Sequence, residues 1–374
     1  MFFSSLRTTS FRNLADAETF TGAKNIFLVG ENGQGKTNFL EALYFCAYAS
    51  SFRAARDNEL ANININNGNK NFSAEVKMEQ TINEAILVVF EDGKKSVYIN
   101  GKKAEDRREL LSITPTIVFC HEDMEFVSGS PERRRWFFDQ TLSLYDTVYL
   151  DDLRRFKKVL KTRNTILREH ANKRLQENPE PVLDALEPQF AMYGLKLTEK
   201  REKAVQEFSS LFSALYEEVS GISGIKVDYF NTWRKMAGDA DIIKADDVVS
   251  FLKERRAHDM TAGVSLSGPH RDRYVYSRDG TDFVIRASTG QRRLLALLLR
   301  AAQSCRFSVE SGLNPVLLLD DVLLEMDGDK RQRFLSILPA YDQAFFTFLP
   351  DEPYQRYKKD ATLIYNVKNG ILIA

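Results

Sequence analysis

The chain has 374 residues, enough for two or three domains of ordinary size. Its 52 Lys and Arg balance 52 Asp and Glu, so there is no global positive field, and any hold on nucleic acid must come from a local patch. No signal peptide is evident, no apolar run approaches the ~20 residues of a membrane span, and Cys46, Cys120 and Cys305 lack paired spacing, which points to free thiols in a reducing cytoplasm with no membrane partner.

In chain order, residues 3 to 30 read as two strands, the second ending in Asn25-Ile26-Phe27-Leu28-Val29. Gly30-Glu31-Asn32-Gly33-Gln34-Gly35-Lys36-Thr37 follows, a Gly-x-x-x-x-Gly-Lys-Thr phosphate loop that opens a helical pattern at Asn38. The glycines let backbone N–H groups turn toward a β-phosphate, and the helix start adds its dipole. Lys36 is expected to reach the β- and γ-phosphates, and the Thr37 hydroxyl to sit on Mg²⁺. Strand, loop and helix all agree, which makes the signal specific.

Residues 72 to 101 read as a β-meander with hairpin turns at Asp92-Gly93 and Asn100-Gly101. Cys120-His121 is accompanied by no second ligand pair, so it does not read as a zinc site. From Pro131 the pattern turns helical, with Leu153, Phe156, Leu160 and Leu167 on one stripe. The Pro-rich stretch 179–188 suggests a bend between two helices. A helix of ~48 Å is then expected from Pro188 to Ser220-Gly221, with Phe190, Tyr193, Leu197, Phe208, Leu211, Leu215 and Val219 on its apolar side. Segment 151–174 holds nine Lys and Arg against three acids. Arg154, Lys158, Lys161 and Arg168 fall opposite the apolar stripe, and two readings stand: a phosphate-binding face, or an ordinary solvated one.

Beyond 262 the pattern returns to α/β, with a helix at 291–303, a strand at Val316–Leu319 and a closing hairpin at Asn369-Gly370. Pro315-Val316-Leu317-Leu318-Leu319-Asp320-Asp321 has the form of a Walker B strand. Asp320 would hold Mg²⁺ through water, and Asp321 lies where an attacking water is polarised. Upstream, Ser288-Thr289-Gly290-Gln291 resembles the signature motif of ABC-type ATPases, in which Ser288, Gly290 and Gln291 would touch the γ-phosphate of an ATP held by another subunit. An ordinary helix N-cap is the alternative. Glu325-Met326-Asp327 resembles the D-loop of the same class.

Most of the chain separates Lys36 from Asp320. The expected fold is therefore an α/β, ABC/SMC-like P-loop ATPase head with a β-meander lobe, formed by 1–125 and 262–374 and split by a helical insert, 126–261, too short for long coiled-coil arms. Phe11-Arg12-Asn13-Leu14, Ser51-Phe52-Arg53 with Arg56-Asp57, Glu122-Asp123, Gly129-Ser130-Pro131, Arg133-Arg134-Arg135 and Ser267-Gly268-Pro269-His270-Arg271-Asp272 resemble, in the same order, signatures of the RecF family of bacterial recombination mediators. The resemblance covers nearly the whole chain. It implies a protein that binds ATP with Gly30 to Asn38, dimerises around two ATP molecules, uses slow hydrolysis as a switch, binds gapped, junction or duplex DNA, and works with RecR and RecO to place RecA. It also makes Arg53 and Arg56, just past the phosphate-loop helix, candidates for coupling DNA to ATP. The chain departs from the pattern at His121, Arg273 and Phe348, the last where relatives carry a polar switch residue. Two competing classes share the phosphate loop. A transporter's nucleotide-binding subunit would end its Walker B strand in Asp-Glu and lack the insert, and an interaction platform with a dead ATPase would not need Lys36, Thr37, Asp320 and Asp321 intact.

Overall fold

The computed structural model describes residues 2–54, 56–62, 70–79, 84–106, 108–173, 178–234, 243–323, 326–359 and 361–374. These form two units, Met1–Asp123 with Leu299–Ala374, and Met124–Leu298. In chain order the first unit begins with β1 (Phe2–Thr9), β2 (Ala17–Phe20), β3 (Asn25–Val29), α1 (Lys36–Tyr48), β4 (Phe72–Glu79), β5 (Glu84–Glu91), β6 (Lys94–Ile99), β7 (Lys102–Lys103), α2 (Arg108–Ile113) and β8 (Thr116–Phe119). The insert follows with α3 (Glu125–Ser128), α4 (Pro131–Ser143), α5 (Thr147–Ala171), α6 (Glu180–Ser220), β9 (Ile225–Phe230), α7 (Ala245–Ala262), β10 (Arg273–Arg278), β11 (Thr281–Asp282), α8 (Phe283–Arg286) and the start of α9 (Thr289–Ser311), which from Leu299 belongs to the first unit. β12 (Val316–Leu319), α10 (Gly328–Ile337), β13 (Gln343–Phe348), β14 (Thr362–Lys368) and β15 (Ile371–Ile373) complete the chain.

The first unit packs α1 between two six-stranded sheets. One is antiparallel, in the order β2-β1-β4-β5-β6-β7; the other, β15-β14-β3-β13-β12-β8, is parallel except for β15. In β4, Phe72, Ala74, Val76 and Met78 alternate into the core, the period-2 pattern of a half-buried strand. The helix α1 is buried nearly all round, from Phe39 to Ala47, as a helix clamped between two apolar faces must be. Both meander turns place Asx then Gly at positive φ, Asp92 at 50° and Gly93 at 75°, Asn100 at 50° and Gly101 at 76°, the geometry of two-residue hairpins. Residues 3 to 30 hold three strands, not the two expected. The extra one, β2, reads Ala-Glu-Thr-Phe and carries no apolar alternation to reveal it.

The second unit is built on α5, α6 and α7 around Tyr149, Phe156, Phe190, Leu197, Trp233 and Leu252. Here the expected bend at 179–188 is replaced by a single helix of 41 residues that runs through Pro188, about 60 Å rather than 48 Å at 1.5 Å per residue. Leu183, Glu187 and Phe190 are buried on both sides of the proline, so packing holds the turn that the missing N–H weakens. Gly194 lets Trp233 close on this helix: a Cβ there would lie 2.4 Å from the indole. The stop at Gly221 is as expected, in the left-handed region at φ 71°. Residues 262–298, which the sequence pattern joined to the ATPase head, belong to this unit, because β10 pairs with β9 along its whole length. Among the described residues no helix is long and apolar enough to cross a membrane.

Pro188 sits on the exposed side of α6, where alanine would restore an N–H for the Asp184 carbonyl. Pro188→Ala is expected to stabilise the protein by about 1–3 kcal/mol, read as a higher urea midpoint with an unchanged slope.

Candidate nucleotide site

The loop after β3 takes its shape from three glycines. Gly33 and Gly35 have φ of 78° and 115°, conformations that side-chain residues rarely adopt. At Gly30 a Cβ would meet the Val367 carbonyl at 2.5 Å, whereas at Gly33 it would meet nothing within 4 Å. One side of the loop is thus pressed on the sheet and the other is open. Lys36 Nζ donates to the carbonyls of Gly30 at 2.7 Å and Glu31 at 3.2 Å, so the ammonium rests on the loop it belongs to.

The closing hairpin buttresses the loop. The Asn369 N–H donates to Gln34 Oε1 at 2.7 Å and the Gly370 N–H to the Gln34 carbonyl at 2.8 Å. Gly370 approaches so closely that a Cβ would lie 1.9 Å from the Asn13 carbonyl. Asn13 in turn donates through Nδ2 to the Gly33 carbonyl at 3.0 Å and accepts from Asn38 Nδ2 at 2.6 Å.

The Walker B strand meets this loop. Thr37 Oγ1 donates to Asp320 Oδ1 at 2.8 Å. Thr347 stands beside them: its hydroxyl accepts from the Asp321 N–H at 2.7 Å and lies 2.8 Å from Asp321 Oδ1 and 3.3 Å from Asp320 Oδ1. Asp321 is in the left-handed region at φ 51°, a strained turn that aims its carboxylate back at the sheet. Burial, and then the neighbouring Asp321, push the Asp320 carboxyl up to about 7, against the pull of Thr37 and Arg53. A divalent cation would reverse that logic. The donors fit Mg²⁺: Thr37 and Asp320 offer hard oxygens, and among the described residues no cluster of three or more His, Cys, Asp or Glu competes, which suits an ion completed by phosphate oxygens and water.

Thr347 was missed by the sequence reading, which placed the switch position at Phe348. Strand alternation explains the shift: on β13 Thr347 faces Asp320 and Asp321, while Phe348 packs among Phe27, Phe346, Tyr354 and Tyr357. A second missed residue is Glu41, fully buried on α1. It accepts from Arg12 Nε at 3.0 Å, Arg53 Nη2 at 2.7 Å and Ser51 Oγ at 2.5 Å. Burial alone would raise its carboxyl, but the two arginines and the serine more than offset that and hold it below the usual range. Its signal was a lone acid inside the run Phe39 to Cys46. Arg53 also donates to Asn38 Oδ1 at 2.6 Å, so it is tied to the phosphate-loop helix, while Arg56 is exposed.

The signature residues lie in the second unit. Ser288, Thr289 and Gly290 are exposed at the start of α9. Ser288 Oγ accepts from the Gln291 N–H at 3.2 Å and Gln291 Oε1 from the Ser288 N–H at 2.8 Å, a reciprocal capping box. Asp327 is the N-cap of α10, accepting from the Lys330 N–H at 2.9 Å; Glu325, beside it in the D-loop, is outside the described residues, as is Arg174 in the basic segment. Arg154, Lys158, Lys161 and Arg168 are exposed on α5. Arg163, counted with them, is fully buried against Glu187 and Asp259 and takes no part in that surface. Three further motif residues are tied within the second unit: Arg134 donates to the carbonyls of Val127 and Tyr274, Arg135 to that of Asp272, and the Asp272 carboxylate is buried against Tyr229 and Thr232.

Residues 2–371 match the family model described as the RecF/RecN/SMC N-terminal domain. The DNA replication and repair protein RecF of Treponema pallidum (strain Nichols) is 40% identical over 361 residues, 96% of this chain and 98% of that protein. A solved structure of the recombination mediator protein RecF-ATP in the RecFOR pathway superposes with a TM-score of 0.85 at 25% identity, covering 100% of this chain and 97% of the other. An Smc head bound to the C-winged helix domain of ScpA has the same fold at a TM-score of 0.55 and 15% identity, covering 100% and 98%.

Replacing Glu41 by Gln leaves Arg12 and Arg53 without their shared counter-charge. Because both guanidinium groups keep some water, the expected loss is about 2–4 kcal/mol at neutral pH. The folded carboxyl is depressed, so its contribution is complete above the ordinary glutamate value of about 4.3 and fades as pH falls through the lowered one. Urea melts of Glu41→Gln and wild type should therefore converge in acid.

Proposed function

This chain belongs to the RecF family of SMC-type ATPases, and from that premise we propose that it is a cytoplasmic, ATP-controlled DNA-binding protein of replication and recombinational repair. In this reading it dimerises on ATP, recognises gapped or junction DNA, and works with RecR and RecO to assist RecA loading. The observation that supports it most is the hydrogen bond between Thr37 and Asp320, which holds the two halves of a nucleotide site in register across the sheet.

Gly30, Glu31, Asn32, Gly33, Gln34, Gly35 and Asn38 would form the cradle, Lys36 would exchange its loop carbonyls for phosphate oxygens, and Thr37 with Asp320 would hold Mg²⁺. Bound ATP supplies a polyanion that two copies can share and a bond whose cleavage lets them part. Asp321 Oδ1 would take a proton from water, and Thr347 fixes the direction in which that carboxylate points. The exposed start of α9 carries Ser288, Gly290 and Gln291 to the second copy, and Asp327 lies at the seam. Arg53 and Arg56, with the α5 face of Arg154, Lys158, Lys161 and Arg168, supply cations for DNA.

Ser288→Arg is expected to bind ATP yet remain monomeric in sedimentation velocity, whereas Asp321→Asn should accumulate an ATP-bound dimer because water is poorly activated. Normal ATP-dependent dimerisation by both would refute the shared-nucleotide mechanism while leaving the phosphate loop intact.

DNA binding should weaken steeply with salt, since each neutralised phosphate contributes a slope of about −0.9 in log K against log salt. With Lys158→Glu and Lys161→Glu together, the slope should flatten and affinity should fall for every DNA sequence, with ATP-driven dimerisation unchanged. An unaltered slope would move the DNA path to Arg53 and Arg56.

A further inference from the structure

The parallel sheet of the first unit has a second face that the nucleotide reading does not use. Alternation along β3 and β13 turns Ile26, Leu28 and Phe345 into the core with α1 and leaves Phe27 and Phe346 on the other side. There they floor a cavity of about 600 Å³, walled by Leu335 of α10, Tyr341 and Tyr357. The volume is that of a small-ligand pocket and exceeds any single side chain.

Its lip is cationic. Arg356, Lys358 and Lys359 line it and are exposed, and Lys24 stands over the Tyr341 ring at 5.6 Å. Asp329 is the one acid among the described residues that line it. In a chain with no net charge, an apolar well behind a locally positive rim selects for an anionic partner with a hydrophobic tooth.

A nucleobase fits less well. Stacking needs an open aromatic face, and these faces are taken: Phe27 and Phe346 are 1% and 6% exposed, Tyr357 lies flat on Phe348 at 9°, and Lys24 caps Tyr341. What remains is depth lined by Leu335, Leu338 and rings that are little exposed, which suits one bulky apolar side chain. The geometry points to a docking site for an acidic peptide segment of a partner protein, which buries one bulky apolar side chain in this cavity and sets its carboxylates against Arg356, Lys358 and Lys359.

Two fluorescein-labelled peptides test this on the full chain by anisotropy: one with Asp and Glu around a single central Phe, the other identical except for Ala in place of Phe. The Phe peptide should bind about tenfold or more tightly than the Ala peptide. Ser336→Trp, which places a ring in the cavity from an exposed position on α10, should weaken the Phe peptide by about tenfold or more. Lys358→Glu with Lys359→Glu, also exposed, should do the same and does not touch the core. Equal binding of the two peptides would reduce the effect to charge attraction and overturn the site. So would failure of both to bind, or undiminished binding by the two variants. A single-stranded oligonucleotide that displaces the Phe peptide, and itself loses affinity for Ser336→Trp, would reassign the cavity to nucleic acid.

Discussion

The hydrogen bond from Thr37 to Asp320 is the constraint around which the first unit is arranged. Its partners lie 283 residues apart in sequence, and only the strand order brings them together. β13 pairs on one side with β3, Phe348 opposite Val29, and on the other with β12, Phe346 opposite Leu319. In this registry β12 ends at Leu319, level with Phe346 and Phe27, and β13 and β3 run two residues further to Phe348 and Val29, which sets Thr347 beside Asp320 and Asp321 and below the phosphate loop. Ligands of open α/β sheets bind at such carboxyl ends. The loop, the carboxylates and the hydroxyl converge because β12 stops two residues early beside strands that run on.

Around that point lies a chain of polar contacts that runs away from the phosphate loop. Arg53 donates to Asn38, Asn38 to Asn13, and Asn13 to the Gly33 carbonyl in the loop. Glu41 anchors the far end, since a buried carboxylate inside an apolar helix must keep its cations or raise the cost of folding by several kcal/mol. An anion that drew Arg53 outward would compete with Glu41 and Asn38 for the same guanidinium. The loop would register that competition at Gly33 without any contact of its own, which gives the Arg53 position a physical route to the nucleotide.

Much of this was legible in the sequence because local chemistry dictated it. The glycine pattern of the loop, the two Asx-Gly hairpins, the Walker B strand and the glycine that ends α6 each follow from backbone requirements that few residues meet. What escaped depended on long-range packing. Pro188 reads as a breaker, but a helix buried on both sides of it tolerates the lost bond. Thr347 and Phe348 exchange roles on a one-residue change of strand phase that no propensity reveals. Glu41 looked like one more helix former, and its part is set by two arginines that arrive from other segments. The boundary of the insert was hidden as well, because β10 finds its partner β9 across α7 and not beside it in sequence.

Charge counting fails for a related reason. In the second unit, Arg163, Arg201 and Arg256 are buried among Glu187, Asp259, Asp139 and Asp184, where planar guanidinium groups can serve several carboxylates and carbonyls at once. Ammonium groups hydrate more strongly and stay outside, so Lys157, Lys158 and Lys161 remain on the exposed side of α5. In the second unit these three arginines are thus neutralised by acids, while the three lysines stay exposed on α5 beside Arg154 and Arg168. Sequence totals, which weigh every cation alike, erase the asymmetry by which a neutral chain can still present a basic face.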